Sequence, residues 1–195
     1  MVRSGSTTSA NHAEPGLLGI YLNDHLAGAT GGVELARRAA GAHRGSDIGG
    51  ALERLTAEIV EDRAALLDMA AALGVPVRHY KVYAAWVAEK VGRLKFNGHV
   101  LRRSALSTVI ELEVLRLAVE GKAAGWRTLR EVAEHDGRLD AGRLDRLLAR
   151  ARRQADILEE LRARQAAEAF GGGWGGGFRV LGGTGCPRAQ VPVEQ

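Results

Sequence analysis

The residues most able to do chemistry are polar side chains standing where a helix should be apolar. His25 lies between Leu18, Leu22 and Ala29, and Asp62 lies between Ile59 and Leu66. Glu113 shares a helical face with Leu106, Ile110 and Leu117, and Gln154 stands at the edge of the face made by Ala151, Ala155 and Leu158. At about 100° per residue, each side chain points with the stripe it interrupts. An imidazole and two carboxylates can hold one divalent metal and leave positions open. The same groups can instead form a structural hydrogen-bonded layer, because a buried carboxylate without a partner costs several kcal/mol. His25 and Asp62 are nearly equidistant from the short turn at His43–Ser46, which places them in one layer. Glu113 reaches that layer if its helix is counted from the start. Counted from the other end, Glu120 comes closer to Gln154, so either carboxylate could complete the set. The candidate metal ligands are therefore His25, Asp62 and Glu113, and the candidate buried layer is these three with Gln154. No catalytic residue is assigned.

Long helices must position these groups. The apolar residues recur with a period of 3.6 rather than 2. A first helix spans about 17–42, with Leu18, Leu22, Ala29, Val33, Ala36 and Ala40 inward. The short GAHRGSD loop turns the chain back, and Asp47 is the expected N-cap of a second helix. That helix carries Ile48, Leu52, Leu55, Ile59, Leu66, Met69 and Leu73, and it stops at Gly74 with Pro76 just beyond. Tyr80, Tyr83, Ala84, Val87, Val91 and Leu94 then mark one face of a shorter helix, which ends near Asn97-Gly98. At 1.5 Å per residue it spans roughly 22 Å. A third long helix starts between Val100 and Ser104 and runs to about His135, with Gly121 and Gly125 as points of disruption. A fourth, Asp140 to Phe170, turns Leu144, Leu147, Leu148, Ala151, Ala155, Leu158 and Leu161 inward. The expected fold is all-α: an antiparallel four-helix bundle with an additional helix in the crossover between its second and third long helices.

The bundle domain covers 16–170. Residues 1–15 are polar and rich in Ser, Thr and Gly, and residues 171–195 open with GGGWGGGF, so both are expected to be disordered tails. The GGTG run follows no strand and opens no helix, which removes it as a nucleotide fingerprint. Hydrophobic residues make up 46% and aromatics only 5%, so the core is built from Leu, Val, Ile and Ala. The excess of Arg over Lys, with abundant Ala and Gly, suggests GC-rich bacterial coding.

Several functions are argued against. The single cysteine, Cys186, rules out a disulfide framework or a cysteine zinc site within one chain. HExxH, GxSxG and Walker patterns are absent. The N-terminus lacks the apolar core of a secretory signal, and no apolar run approaches the roughly 20 residues of a membrane helix, so the cytoplasm is the default compartment. His12, His43, His79, His99 and His135 fall in a tail, loops or helix ends and read as surface residues. The net charge of +4 permits nucleic-acid binding without demanding it. Arg143, Arg146, Arg150, Arg152, Arg153, Arg162 and Arg164 lie on the last helix, interrupted by Asp145, Asp156, Glu159 and Glu160. Arg146, Arg150 and Arg153 share a face that could track phosphates, but no DNA-reading motif accompanies them.

A one-crossover bundle with inward polar residues at mid-height resembles the ferritin-like superfamily. YLNDHLAGATGGVELARR, ELEVLRLAVEGK and RARRQADILEELR look like segments of its bacterial members. Di-iron members carry Glu on two helices and Glu-x-x-His on the other two. This chain departs from that pattern. His25 stands where a Glu is expected, Asp62 is followed three residues on by Ala65 rather than His, and Gln154 is preceded by Ala151. Only Glu113 keeps the ligand type, so the resemblance implies a degenerate site with no cofactor or one divalent metal, and argues against iron storage, ferroxidase and oxygenase activity. The expected function is a non-enzymatic structural or interaction module. Its partner would be a second copy or another protein, through the Tyr80–Leu94 face with Trp86 at its edge. The alternatives are a mononuclear metal enzyme on His25, Asp62 and Glu113, and weak nucleic-acid binding through the last helix.

Overall fold

The computed structural model describes residues 16–77 and 105–171. These form four helices and no strand: α1 Leu17–Ala42, α2 Gly49–Ala72, α3 Ala105–Val132 and α4 Ala141–Gly171. The Tyr80–Leu94 segment with Trp86, the start of the third helix before Ala105, the N-terminal tail and the C-terminal tail beyond Gly171 lie outside the described residues. No helix among the described residues is long and apolar enough to cross a membrane.

Local chemistry sets the helix ends. Gly74 adopts φ 70°, and the Gly74 and Val75 amides donate to the Ala71 and Ala70 carbonyls at 3.0 and 2.9 Å. That left-handed turn satisfies carbonyls the helix leaves open, and glycine adopts it without a Cβ penalty. Asp140 caps α4, accepting from the Arg143 amide at 3.0 Å. The start of α2 differs from expectation. Ile48 occupies the cap position, and no side chain caps the helix, so Asp47 does not serve as N-cap. The turn closes instead through backbone bonds from Ser46 to the His43 carbonyl and from Gly49 to the Ser46 carbonyl. It is tight enough that a Cβ on Gly49 would meet the His43 carbonyl oxygen at 2.3 Å. Backbone closure replaces the cap there.

The expected stripes of α2 and α4 are buried throughout. On α1, Leu22, Val33, Ala36 and Ala40 are buried, while Leu18 and Ala29 pack against the core from its edge. α3 runs without a break through Gly121 and Gly125. Its inward face is not the one carrying Glu113. Val109, Leu112, Leu115, Val119, Ala123, Trp126 and Leu129 are buried, whereas Leu106 and Leu117 are 49% and 67% exposed. α3 has two apolar stripes, and the longer one, anchored by Trp126, buries more area and takes the core.

α1 packs on α2 and α3, and α3 packs on α4. Side chains join α4 to α2 at Arg143–Asp68, Arg150–Asp62 and Gln154–Glu58. They join α4 to α3 at Asp145–Arg130, Gln154–Lys122 and Glu159–Arg116.

Candidate functional site: a buried ion-pair layer

Asp62 sits on the core stripe of α2, one turn from Ile59 and Leu66, and is 1% exposed. A carboxylate taken that far from water must be compensated. Lys122 from α3 donates to its Oδ2 and Arg150 from α4 donates to its Oδ1. Gln154 adds an Nε2–H bond to Oδ2 at 3.3 Å. The Gln154 side chain is itself fully buried. Its Oε1 accepts from Lys122, and its Nε2 donates to Glu58 at 2.8 Å. Arg150 uses a second nitrogen to reach Glu61 at 2.8 Å. One network therefore ties together α2, α3 and α4 at mid-height.

Burial and charge compete within it. Burial lowers the pKa of the Lys122 ammonium below its ordinary value, and the Asp62 carboxylate beside it opposes that shift. Burial also works against the charged Arg150 guanidinium, but Asp62 and Glu61 outweigh it and hold the pKa above the ordinary value.

His25 is elsewhere. It is half-buried on α1 and takes no part in the hydrogen bonds to Asp62, although both residues line one cleft between α1, α2 and α3. Its ring packs against Tyr21, with centroids 4.4 Å apart, and Tyr21 donates to the Thr128 hydroxyl of α3 at 3.0 Å. Burial lowers the His25 pKa, partly offset by Asp24. The imidazole lies over Gly125, where a Cβ would come within 2.8 Å of Nδ1. Glu113 is exposed on the outer face of α3, and Glu120 is exposed and faces Arg116 at 4.0 Å. Neither completes the layer, because the helix is rotated from the expected phase. Among the described residues no group of three or more His, Cys, Asp or Glu side chains is placed to hold a metal. The donor chemistry does not fit one at Asp62 either, since both carboxylate oxygens already face cationic donors.

No protein-family model matches this chain, and no curated protein or solved structure matches it.

Lys122, Arg150 and Glu58 complete the layer, and reading the polar residues on the expected stripes did not find them. A signal for Lys122 was present: it stands three residues after Val119 and four before Trp126, on the buried stripe of α3. Arg150 was legible only as one of a row of arginines. Three others of that row are also engaged. Arg143 reaches Asp68 at 2.7 Å, Arg146 lies 3.8 Å from Asp140, and Arg162 binds Glu159 at 2.6 Å. His43 is half-buried near Thr108, and His135 is exposed.

Proposed function

We propose that this chain is a non-enzymatic, ferritin-like bundle serving as a structural or protein-interaction module, with an internal ion-pair layer where metal-binding bundles of that kind hold their cofactor. The observation that carries this reading is the saturation of Asp62. Two cations, from α3 and α4, occupy the oxygens a metal would need, and Gln154 bonds to the same carboxylate. A metal would have to displace both cations and leave them buried without partners.

The contact order supports the antiparallel, one-crossover topology. Along α4, residues 143, 150 and 154 meet α2 at 68, 62 and 58, so numbers rise on one helix as they fall on the other. The same holds between α3 and α4 at Arg130–Asp145 and Arg116–Glu159. Asn23, near the start of α1, donates to Pro76 just after α2, while Thr108, near the start of α3, lies beside His43 at the end of α1. Pro76 and Thr108 thus lie beside opposite ends of α1, the placement that a one-crossover bundle calls for.

The outer stripe of α3 supports a partner surface. Leu106 and Leu117 are exposed on one helical face, with half-buried Ile110 between them. A second copy of the chain, or another protein, would cover this stripe.

Sedimentation and elemental analysis of the full chain test the proposal. The expected result is a defined oligomer without stoichiometric metal, converted to a monomer of unchanged melting temperature by Leu117→Arg. Stoichiometric metal that disappears in His25→Ala would overturn it.

A further inference from the structure

The cleft holding His25 has a volume of about 340 Å³ and walls that are mostly carbon. Gly28 and Gly32 from α1 and Gly121 and Gly125 from α3 line it, and Gly28 and Gly121 are exposed. A glycine inside a helix weakens it relative to alanine, and close helix packing is the usual compensation. That compensation does not apply to three of these, because a Cβ on Gly28, Gly32 or Gly121 would meet nothing within 4 Å. Their missing side chains leave an apolar groove between α1 and α3, with room for an occupant.

Chain length and end points indicate which occupant. Asn23 of α1 donates to the Pro76 carbonyl at 3.2 Å, and His43, just past the end of α1, lies 3.5 Å from the Thr108 hydroxyl of α3. The stretch between Pro76 and Thr108 therefore begins and ends beside α1, at heights separated by the rise from Asn23 to His43, about 30 Å. Within it, Tyr80, Tyr83, Ala84, Val87, Val91 and Leu94 recur at helical spacing, and Asn97-Gly98 ends the pattern. A helix from Pro76 to Gly98 would measure about 33 Å, which matches that rise. In this register Tyr80 and Tyr83 reach the height of Gly28 and Gly32, and Arg78 reaches that of Asp24, an exposed carboxylate that also lines the cleft. The volume agrees, since an apolar cavity of about 150 Å³ holds one benzene and this one takes two phenol rings. A tyrosine suits such a wall, because its ring is apolar and its hydroxyl can stay beside polar groups such as His25 and Arg63.

We infer that this cleft is the docking groove for residues 80–94 of the same chain, with Tyr80 and Tyr83 seated between the glycines of α1 and α3. The inference rests on the one-crossover reading above. The groove is separate from the partner surface at Leu106 and Leu117, neither of which lines it.

The test is cross-linking of the full chain with a short bismaleimide in a Cys186→Ser background. Ala84→Cys, which keeps both tyrosines, is paired in turn with Gly28→Cys, Gly121→Cys and Glu61→Cys, the last on the α2–α4 side of the bundle. Links within one chain are expected for the two glycine positions and none for Glu61→Cys. In a second arm, Gly28→Leu with Gly121→Leu fills the groove. Trypsin should then cut after Lys90 and Arg93 about tenfold faster, with the helical circular dichroism of the wild type retained. Absence of a link at both glycine positions overturns the inference. So does a link between two chains, which would put a second copy in the groove, a link to Glu61→Cys of equal yield, or unchanged tryptic cleavage in the filled, folded variant. The pair Asp68→Cys with Arg143→Cys, side chains that meet at 2.7 Å, serves as the reference for the bundle. If it links and the Ala84 pairs do not, the docking inference falls and the bundle reading stands. If it fails to link, both fall.

Discussion

Lys122 of α3 and Asp62 of α2 form an ion pair inside the bundle, with side-chain exposures of only 14% and 1%. Their separation in sequence is large, and their meeting depends on the rotation of α3 that buries Trp126. The pair is one edge of a network that Arg150 and Gln154 close from α4.

Removing one member should cost far more than removing all. Asp62→Ala leaves two cations facing each other in a buried layer, and its expected cost is about 3–5 kcal/mol of unfolding free energy. The triple change Asp62→Leu, Lys122→Met, Arg150→Leu should recover most of that loss, because apolar groups of similar volume need no compensation. Urea unfolding measures both. A loss below about 1 kcal/mol for Asp62→Ala would remove the layer from the list of structural determinants.

The rotation of α3 is testable at two leucines only two positions apart. Leu115 is 1% exposed and Leu117 is 67% exposed. Leu115→Ala should destabilise by about 2–5 kcal/mol, the range for emptying a packed core site. Leu117→Ala should stay within about 0.5 kcal/mol in the monomer. Thermal melts of both variants read the difference directly, and a reversed order would mean that Glu113 faces the core.

Glycine substitutions on α3 should have opposite signs. Gly121→Ala places a methyl in open space and gains helix propensity, with about 0.5–1 kcal/mol of added stability. Gly125→Ala drives its methyl to 2.8 Å from the His25 ring, so it should destabilise. In a His25→Ala background the obstruction is gone, and Gly125→Ala should then become neutral or stabilising. A double-mutant cycle measured by urea unfolding captures this coupling.

Protonation of His25 should weaken the fold. Its pKa is lowered from 6.5 by burial, so the unfolded chain binds the proton more tightly than the folded one. The contribution is fully present above pH 6.5 and declines as pH falls below it toward the folded value. The groups around the ring are Asp24, which opposes the shift, the Tyr21 phenol, and Lys122, Asp62 and Arg63 across the cleft. A histidine titration by NMR should give His25 a midpoint below 6.5. His25→Gln should flatten the pH dependence of stability in that window.

The sequence alone determined the four long helices, the helix stop at Gly74, and the inward faces of α2 and α4. Each of these is a local property. The 3.6-residue apolar period runs the length of α2 and α4 on a single face, and a glycine followed by Pro76 can end a helix without help from elsewhere. Asp62 and Gln154 were legible as buried polar residues for the same reason, since each interrupts an unambiguous stripe.

Only the tertiary structure decided which groups answer Asp62. α3 carries two apolar stripes, a short one of Leu106, Ile110 and Leu117 that Glu113 shares and a longer one through Trp126 that Lys122 shares. The choice falls to total buried area, which depends on three neighbouring helices. Once Trp126 goes inward, Lys122 goes with it and Glu113 turns to water. The same choice brings Gly125 under His25, and the imidazole makes no hydrogen bond to Asp62. A carboxylate buried in a bundle dictates that partners must exist, but their identity is set by packing across the core.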